Sequence, residues 1–192
     1  GVTGAATWQK VSGTPTFGWT APSDVGSGVN HYHIYWGESS TDTTTTDNGS
    51  TSYSPGAQAS GTNNYFRVAA VDTAGNEGAW TTAVGWQYET VIPTVATSLT
   101  GGWVTKIVTA TASDLGGSGV ASVWCSTTDG AYTNGGTSTC TKTFTVTGAF
   151  WHYATDSAGN SSAHQSIAVT GFDTTPPVVT TTVPSGWATS KT

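Results

Sequence analysis

Charged side chains are scarce in this sequence. Only 8% of its 192 residues are Asp, Glu, Lys or Arg, whereas soluble domains usually contain about 25%. The formal net charge is −6, and the fixed cations are Lys10, Arg67, Lys106, Lys142 and Lys191. Because nucleic-acid binding depends largely on neutralising phosphates with Lys and Arg, this composition argues against a nucleic-acid partner.

Methionine and long apolar runs are also missing. The absence of Met and of a signal peptide predicts an internal or processed part of a longer product. No apolar run approaches the ~18 residues that a membrane-spanning helix requires. We therefore expect no membrane insertion in this segment.

Cysteine occurs only twice, as Cys125 and Cys140. The pair forms either a disulfide or two buried free thiols. The Thr- and Ser-rich composition is typical of secreted proteins, whose compartment permits oxidation, so we expect the disulfide. A zinc cluster is not expected, because no CxxC is present and His152 has no partner at finger spacing.

Aromatic residues and short alternating segments are abundant. The chain has nine Trp, seven Tyr and five Phe, which supply large buried areas and argue against disorder. Apolar residues alternate in segments such as 14–20, 29–36, 64–71, 106–112, 120–125, 141–147 and 150–155. Short strands separated by Gly, Asn, Asp and Pro indicate an all-β chain built of β-sandwiches.

A repeat with a period of 84 residues divides the chain. The segment DTAGN at 72–76 returns as DSAGN at 156–160, and Trp103 returns as Trp187. A fixed period indicates an array of similar units. We predict domains at 1–88 and 89–172, followed at 173–192 by a linker and the opening strand of a third repeat, which continues in a longer chain or pairs with another subunit.

Two family resemblances follow from particular segments. Residues 1–88 resemble a fibronectin type III domain through FGWTAP at 17–22, YHIYW at 32–36 and FRVAAVD at 66–72. Residues 89–172 resemble a bacterial Ig-like repeat through ASD at 112–114, SGV at 118–120, ATDSAGN at 154–160 and the following DTTPP at 173–177. The resemblances imply tandem antiparallel β-sandwiches, as in extracellular and surface array proteins.

Six acids fall at the predicted ends of the sandwiches. They are Glu89, Asp114, Asp156, Asp24, Asp72 and Asp173. Glu89 ends the first domain where the loops of Asp114 and Asp156 project, so three carboxylates converge in a plausible calcium site. The alternative is turn chemistry alone, in which Asp and Asn accept backbone hydrogen bonds and Gly75 or Gly159 supplies positive φ.

Histidines and outward aromatics offer further sites. His31 and His33 share one face of a strand, at a spacing suited to a transition metal, but a solvent-facing pair without a third ligand is the expected reading. His152 has core parity and is expected to be buried and hydrogen-bonded. The aromatics that interface packing or sugar stacking would use are Trp103, Trp124, Trp151, Tyr153 and Trp187. Recurrence of Trp at 103 and 187 favours packing over sugar.

No local signature places a nucleophile beside a base, so we do not expect an enzyme. The predicted function is structural: an extracellular segment of a bacterial or archaeal surface stalk, adhesin shaft or self-assembling filament. Its expected partners are other copies of itself or adjoining repeats. The alternative function is a carbohydrate-binding accessory module of a secreted enzyme, for which the partners are surface glycans.

Overall fold

The computed structural model describes residues 7–10 and 13–182, and these residues form strands and connecting turns. Within these residues, no helix is long and apolar enough to cross a membrane. The strands in chain order are β1 (Trp8–Gln9), β2 (Phe17–Gly18), β3 (Val29–Gly37), β4 (Thr46–Asn48), β5 (Ser52–Tyr53), β6 (Thr62–Asp72), β7 (Val84–Tyr88), β8 (Thr94–Gly101), β9 (Lys106–Ser113), β10 (Val120–Ser126), β11 (Thr133–Asn134), β12 (Thr139–Phe144), β13 (Gly148–Asp156) and β14 (Gln165–Val169).

The first sandwich has one large and one small sheet. The large sheet has the order β1-β7-β6-β3-β4, and the small sheet pairs β2 with β5. Strand β1 runs parallel to β7 and the other neighbours are antiparallel. The core lies between the sheets, where Phe17 stacks on Phe66 with ring centroids 4.3 Å apart and Ile34 and Trp86 are buried nearby.

The second sandwich has a four-stranded sheet of order β11-β10-β13-β14 and a three-stranded sheet of order β12-β9-β8. Val108, Val123 and Phe150 are fully buried between them. The predicted disulfide is formed: Cys125 on β10 and Cys140 on β12 are bonded, with Cα atoms 5.8 Å apart. The bridge therefore links the two sheets through their shared core.

One strand is shorter than predicted, and Lys142 on β12 shares a face with the buried Cys140. The strand predicted at 14–20 is reduced to Phe17–Gly18. Pro15 carries no N–H for a ladder, and past the strand the Trp19 N–H donates to the Thr51 carbonyl at 3.1 Å. Strand β12 pairs with β9 in continuous register from Thr139 to Phe144. The Nζ of Lys142 donates to Thr133 Oγ1 at 2.8 Å.

The segment after the second sandwich carries no strand within residues 173–182. The rest of the predicted third-repeat strand, together with Trp187, lies outside the described residues. The domain limits at 88 and 172 stay predictions, and the two separate hydrophobic clusters lie on either side of residue 89.

Candidate metal centre at the junction of the two sandwiches

Glu89 lies in the connection between β7 and β8 and is completely buried, with 0% of its surface exposed. Its backbone N–H donates to the Gln9 carbonyl at 3.0 Å. Its own carbonyl accepts a bond from Asn160 Nδ2 at 3.2 Å. Residues of both sandwiches therefore hold the backbone of Glu89, and this places its side chain against the loops of the second one.

The two carboxylate oxygens of Glu89 differ in their surroundings. Oε2 accepts a hydrogen bond from the Ser118 backbone N–H at 2.7 Å. Oε1 is buried and has no hydrogen-bond partner. It lies where a Cβ on residue 116 would be, since a methyl group built on Gly116 overlaps Oε1. The loop thus leaves a cradle for this oxygen and offers it no donor.

Asp114 follows the end of β9 and shapes the loop that surrounds Glu89. Its Oδ1 accepts from the Gly116 N–H at 3.0 Å, and its Oδ2 accepts from the Gly119 N–H at 2.7 Å. These bonds are the turn chemistry expected of an Asp at this place. They also hold the carboxylate facing the same loop as Glu89.

Asp156 ends β13 and is buried, with 3% of its surface exposed. Its Oδ1 accepts from the Asn160 N–H at 2.7 Å and its Oδ2 from Asn160 Nδ2 at 2.8 Å. Because Asn160 also contacts the Glu89 carbonyl, the DSAGN turn is tied directly to the connection between the sandwiches.

Glu89, Asp114 and Asp156 each bring a carboxylate oxygen within 4.8 Å of the others. Calcium is bound by six to eight oxygens at about 2.3–2.6 Å, so oxygens on opposite sides of one ion are about 4.8 Å apart. Among the described residues no Lys or Arg is paired with these carboxylates; Lys10 Nζ donates to the Gly159 carbonyl of the same turn. The donor set and the free Oε1 fit a hard divalent cation. The two aspartates therefore accept hydrogen bonds within their own turns, and they also lie close to Glu89.

The corresponding acids of the first sandwich form turns without converging on a third acid among the described residues. Asp24 Oδ2 accepts from the Gly28 N–H at 2.7 Å. Asp72 accepts from the side-chain amide and the backbone N–H of Asn76, both at 2.8 Å, and the side-chain bond first and the backbone bond second lower the Asp72 pKa. Asp173 is exposed, and its Oδ1 accepts from the Thr175 N–H at 2.9 Å.

The outward aromatics of the second sandwich contact one another. Trp124 and Tyr153 are directly opposite in the β10–β13 ladder and stack with centroids 5.9 Å apart. Tyr132 packs edge-on against Tyr153, and His164 stacks on Tyr153 with ring centroids 4.3 Å apart. The hydroxyl of Tyr132 donates to Asp129 at 2.7 Å; burial first and this bond second raise the Tyr132 pKa to about 12.

Trp124, Tyr153, Tyr132 and His164 are called here the aromatic cluster. Tyr132 and His164 were not among the predicted outward aromatics, because Tyr132 lies just before the two-residue strand β11 and His164 lies in the loop before β14, where alternation gives no signal. Trp151 is half-buried, whereas Trp103 is 71% exposed and accepts a bond from the Asp173 N–H at its carbonyl. Trp103 thus lies beside the segment that follows the second sandwich.

Two histidine expectations need correction. His31 and His33 do have a third candidate ligand, because Asp47 on β4 lies beside them. His152 is buried as expected, but its Nδ1 has no hydrogen-bond partner. Burial lowers the His152 pKa. The pairing of β3 with β4 brings Asp47 beside His31 and His33. The alternation of residues within β3 does not show which strand lies next to it.

Comparison with known proteins gives similarity at the level of fold. No protein-family model matches the sequence, and no curated protein matches it. Among solved structures, the chain is similar to the fibronectin(III)-like modules of Clostridium thermocellum CbhA, with 15% identity over 85% of this chain and 88% of that chain and a TM-score of 0.42. The chain is similar in fold to fibronectin type III modules.

Two further solved structures are similar to the chain. Chitinase ChiA74 from Bacillus thuringiensis is 18% identical over 88% of this chain and 28% of that chain, with a TM-score of 0.35. The FN1-FN3 domains of chicken CNTN1 are 13% identical over 84% of this chain and 62% of that chain, with a TM-score of 0.35. The bacterial Ig-like resemblance of residues 89–172 stays a prediction, and no residue role is transferred from these proteins.

Proposed function

We propose that this chain is a non-catalytic structural segment of an extracellular or cell-surface protein, in which calcium at the junction fixes one sandwich against the next. The observation that carries the proposal is Glu89. A side chain from the connection between two domains is wholly buried in the second domain, with one carboxylate oxygen unpartnered beside two further acids.

Direct bonds already restrict the junction. Glu89 Oε2 binds the Ser118 N–H and the Glu89 carbonyl binds Asn160. Lys10 of the first sandwich donates to the Gly159 carbonyl of the second. These bonds span the two sandwiches at several separate points, so they resist both bending and twisting of one sandwich relative to the other.

Electrostatics explains why a cation would complete this junction. Two carboxylates about 4.8 Å apart repel by about 3 kcal/mol at an effective dielectric constant of about 20. Three such groups, two of them buried, therefore favour a bound divalent cation. Calcium would hold Glu89, Asp114 and Asp156 together, and it would lose these ligands if the sandwiches separated.

The disulfide and the low charge content support an extracellular setting. The bridge between Cys125 and Cys140 is typical of an oxidising compartment. The low content of charged side chains suits a surface protein that its Thr and Ser hydroxyl groups keep in solution. A bacterial or archaeal stalk, adhesin shaft or filament is the setting we propose, with adjoining repeats or further copies of the chain as partners.

The proposal is tested by calorimetry and solution scattering with calcium and with a chelator. Calcium should raise the unfolding temperature and reduce the spread of interdomain distances. Asp156→Asn should remove the calcium response, whereas Asp72→Asn, in the matching turn of the first sandwich, should retain it. Equal unfolding temperatures with calcium and chelator, or an equal response in both variants, would contradict the calcium junction.

A carbohydrate-binding role is the second candidate, and the aromatic cluster is the observation that favours it. However, Trp124 and Tyr153 stack on each other and His164 stacks on Tyr153, which reduces the ring area open to a sugar. Trp124→Ala and Tyr153→Ala should leave polysaccharide retention unchanged if the module is structural. Loss of retention in both variants would favour the binding module instead.

A further inference from the structure

A histidine pair and a carboxylate lie together on the outer face of the first sandwich. His31 and His33 are two residues apart on β3, so both point to the same face. Asp47 of β4 is directly opposite His33 in the antiparallel ladder and therefore shares that face. Two strands with continuous backbone pairing thus hold the three side chains side by side.

The distances approach those of a first coordination sphere. His33 Nε2 lies 3.4 Å from Asp47 Oδ1, and His31 Nε2 lies 3.9 Å from the same oxygen. Two ligand atoms of a tetrahedral zinc ion, each about 2.0–2.1 Å from the metal, are about 3.3 Å apart. The first distance fits this spacing, the second is longer, and the ligand atoms of all three residues lie within 4.8 Å of one another.

The imidazole of His33 is held by a second carboxylate on its far side. His33 Nδ1 lies 2.5 Å from Glu77 Oε2. Glu77 Oε1 accepts a bond from Trp80 Nε1 at 2.8 Å, and residue 77 is anchored by a β-bridge to Val71. With the Nδ1 proton donated to Glu77, the lone pair of His33 is on Nε2, the nitrogen that lies 3.4 Å from Asp47 Oδ1.

This carboxylate–histidine arrangement is the one that metal sites commonly use to orient a ligating imidazole and raise its basicity. The histidines are 26% and 23% exposed in their side chains and Asp47 is 76% exposed. An ion can therefore enter from solvent, and a fourth position remains open to water or to a donor from another molecule. Calcium prefers oxygen ligands, so this site and the acidic junction select different ions.

We propose that His31 Nε2, His33 Nε2 and Asp47 Oδ1 bind a divalent transition-metal ion, with Zn²⁺ as the best fit, and that Glu77 is the positioning residue for His33. Two imidazoles and one carboxylate suit zinc, whose tetrahedral sites often leave the fourth position to water. The site lies within the first sandwich and does not depend on the calcium junction.

Titration calorimetry with ZnCl₂, in excess calcium to occupy the junction, tests the proposal on the intact chain. One zinc ion per chain is expected. His31→Ala and His33→Ala should abolish binding, and Co²⁺ should give the intense visible absorption of a tetrahedral site in the wild type only. His164→Ala is the matched control, because His164 also lies near a carboxylate, Asp129, at 3.9 Å, and it should leave binding unchanged.

Two further variants keep the test decisive if a histidine variant unfolds. Asp47→Asn changes an exposed side chain and should weaken zinc binding while leaving the unfolding temperature of the metal-free protein unchanged. Glu77→Gln should retain the stoichiometry and weaken affinity about tenfold or more, as expected for an outer partner. Absence of zinc binding in the wild type, or unchanged binding in Asp47→Asn and both histidine variants, would overturn the proposal.

Discussion

Replacing Gly116 by Ala tests the junction with a single methyl group. The new Cβ would overlap Glu89 Oε1, so the carboxylate must leave its cradle. Gly116 does not have the positive φ that makes glycine hard to replace, and the substitution therefore acts through this overlap and not through backbone strain. Neither hydrophobic core contains residue 116.

The magnitude follows from the bond that is lost. When Glu89 leaves, the Ser118 N–H loses a charged acceptor at 2.7 Å, and such a bond contributes about 1.5–3 kcal/mol. For a domain of this size each kcal/mol lowers the unfolding temperature by about 4–8 °C. We therefore expect the transition of the second sandwich to fall by about 10 °C.

Differential scanning calorimetry with and without calcium measures this change, and Gly102→Ala is the matched control. A Cβ at Gly102 meets no atom within 4 Å, and the φ of Gly102 is not positive. The Gly102→Ala variant should therefore unfold at the same temperature as the wild type. Gly116→Ala should also lose the calcium response. If Gly116→Ala matched the wild type in both respects, the docking of Glu89 against this loop would be refuted.

Three further outcomes are expected. Reducing the bridge between Cys125 and Cys140, 15 residues apart, should cost the second sandwich about 3 kcal/mol in denaturant titrations with and without reductant, and an unshifted midpoint would contradict this. Burial lowers the His152 pKa from its ordinary value of 6.5, so the unfolded state binds more protons as the pH falls below about 6.5. Stability should decline there in the wild type and less in His152→Phe; parallel pH profiles would argue against it. Phe66→Ala removes a fully buried ring stacked on Phe17 and should cost the first sandwich about 3–5 kcal/mol, while an unchanged first transition would count against a core at Phe66.

Strand positions followed from the sequence wherever alternation was long. The segments 29–36 and 64–71 became β3 and β6, with Ile34 and Phe66 buried in the core. The segment 14–20 gave a strand of only two residues, and Pro15 has no N–H to extend its ladder. Lys142 shares a face of β12 with the buried Cys140, and its long side chain reaches Thr133 at the edge.

The acids at the junction illustrate what a repeat adds to sequence reasoning. The 84-residue period and the sandwich resemblance together predicted that Glu89 would meet Asp114 and Asp156, and the structure brings their oxygens within 4.8 Å. Neither the unpartnered Oε1 nor the cradle at Gly116 was predictable. Both depend on the path of the loop after β9, which has no regular period.

Local chemistry determined much of this protein without a structure. Period-two alternation predicted the strands, and the DTAGN and DSAGN segments predicted turns. Two cysteines in a composition typical of secreted proteins predicted one disulfide. The tertiary structure alone decided which side chains from distant segments meet: Asp47 beside His31 and His33, Glu77 behind His33, and Gly116 beneath Glu89. The reason is physical, since alternation records only which face of its own strand a side chain occupies. Strand register and loop path, which bring separate segments together, are determined by the packing of the whole chain.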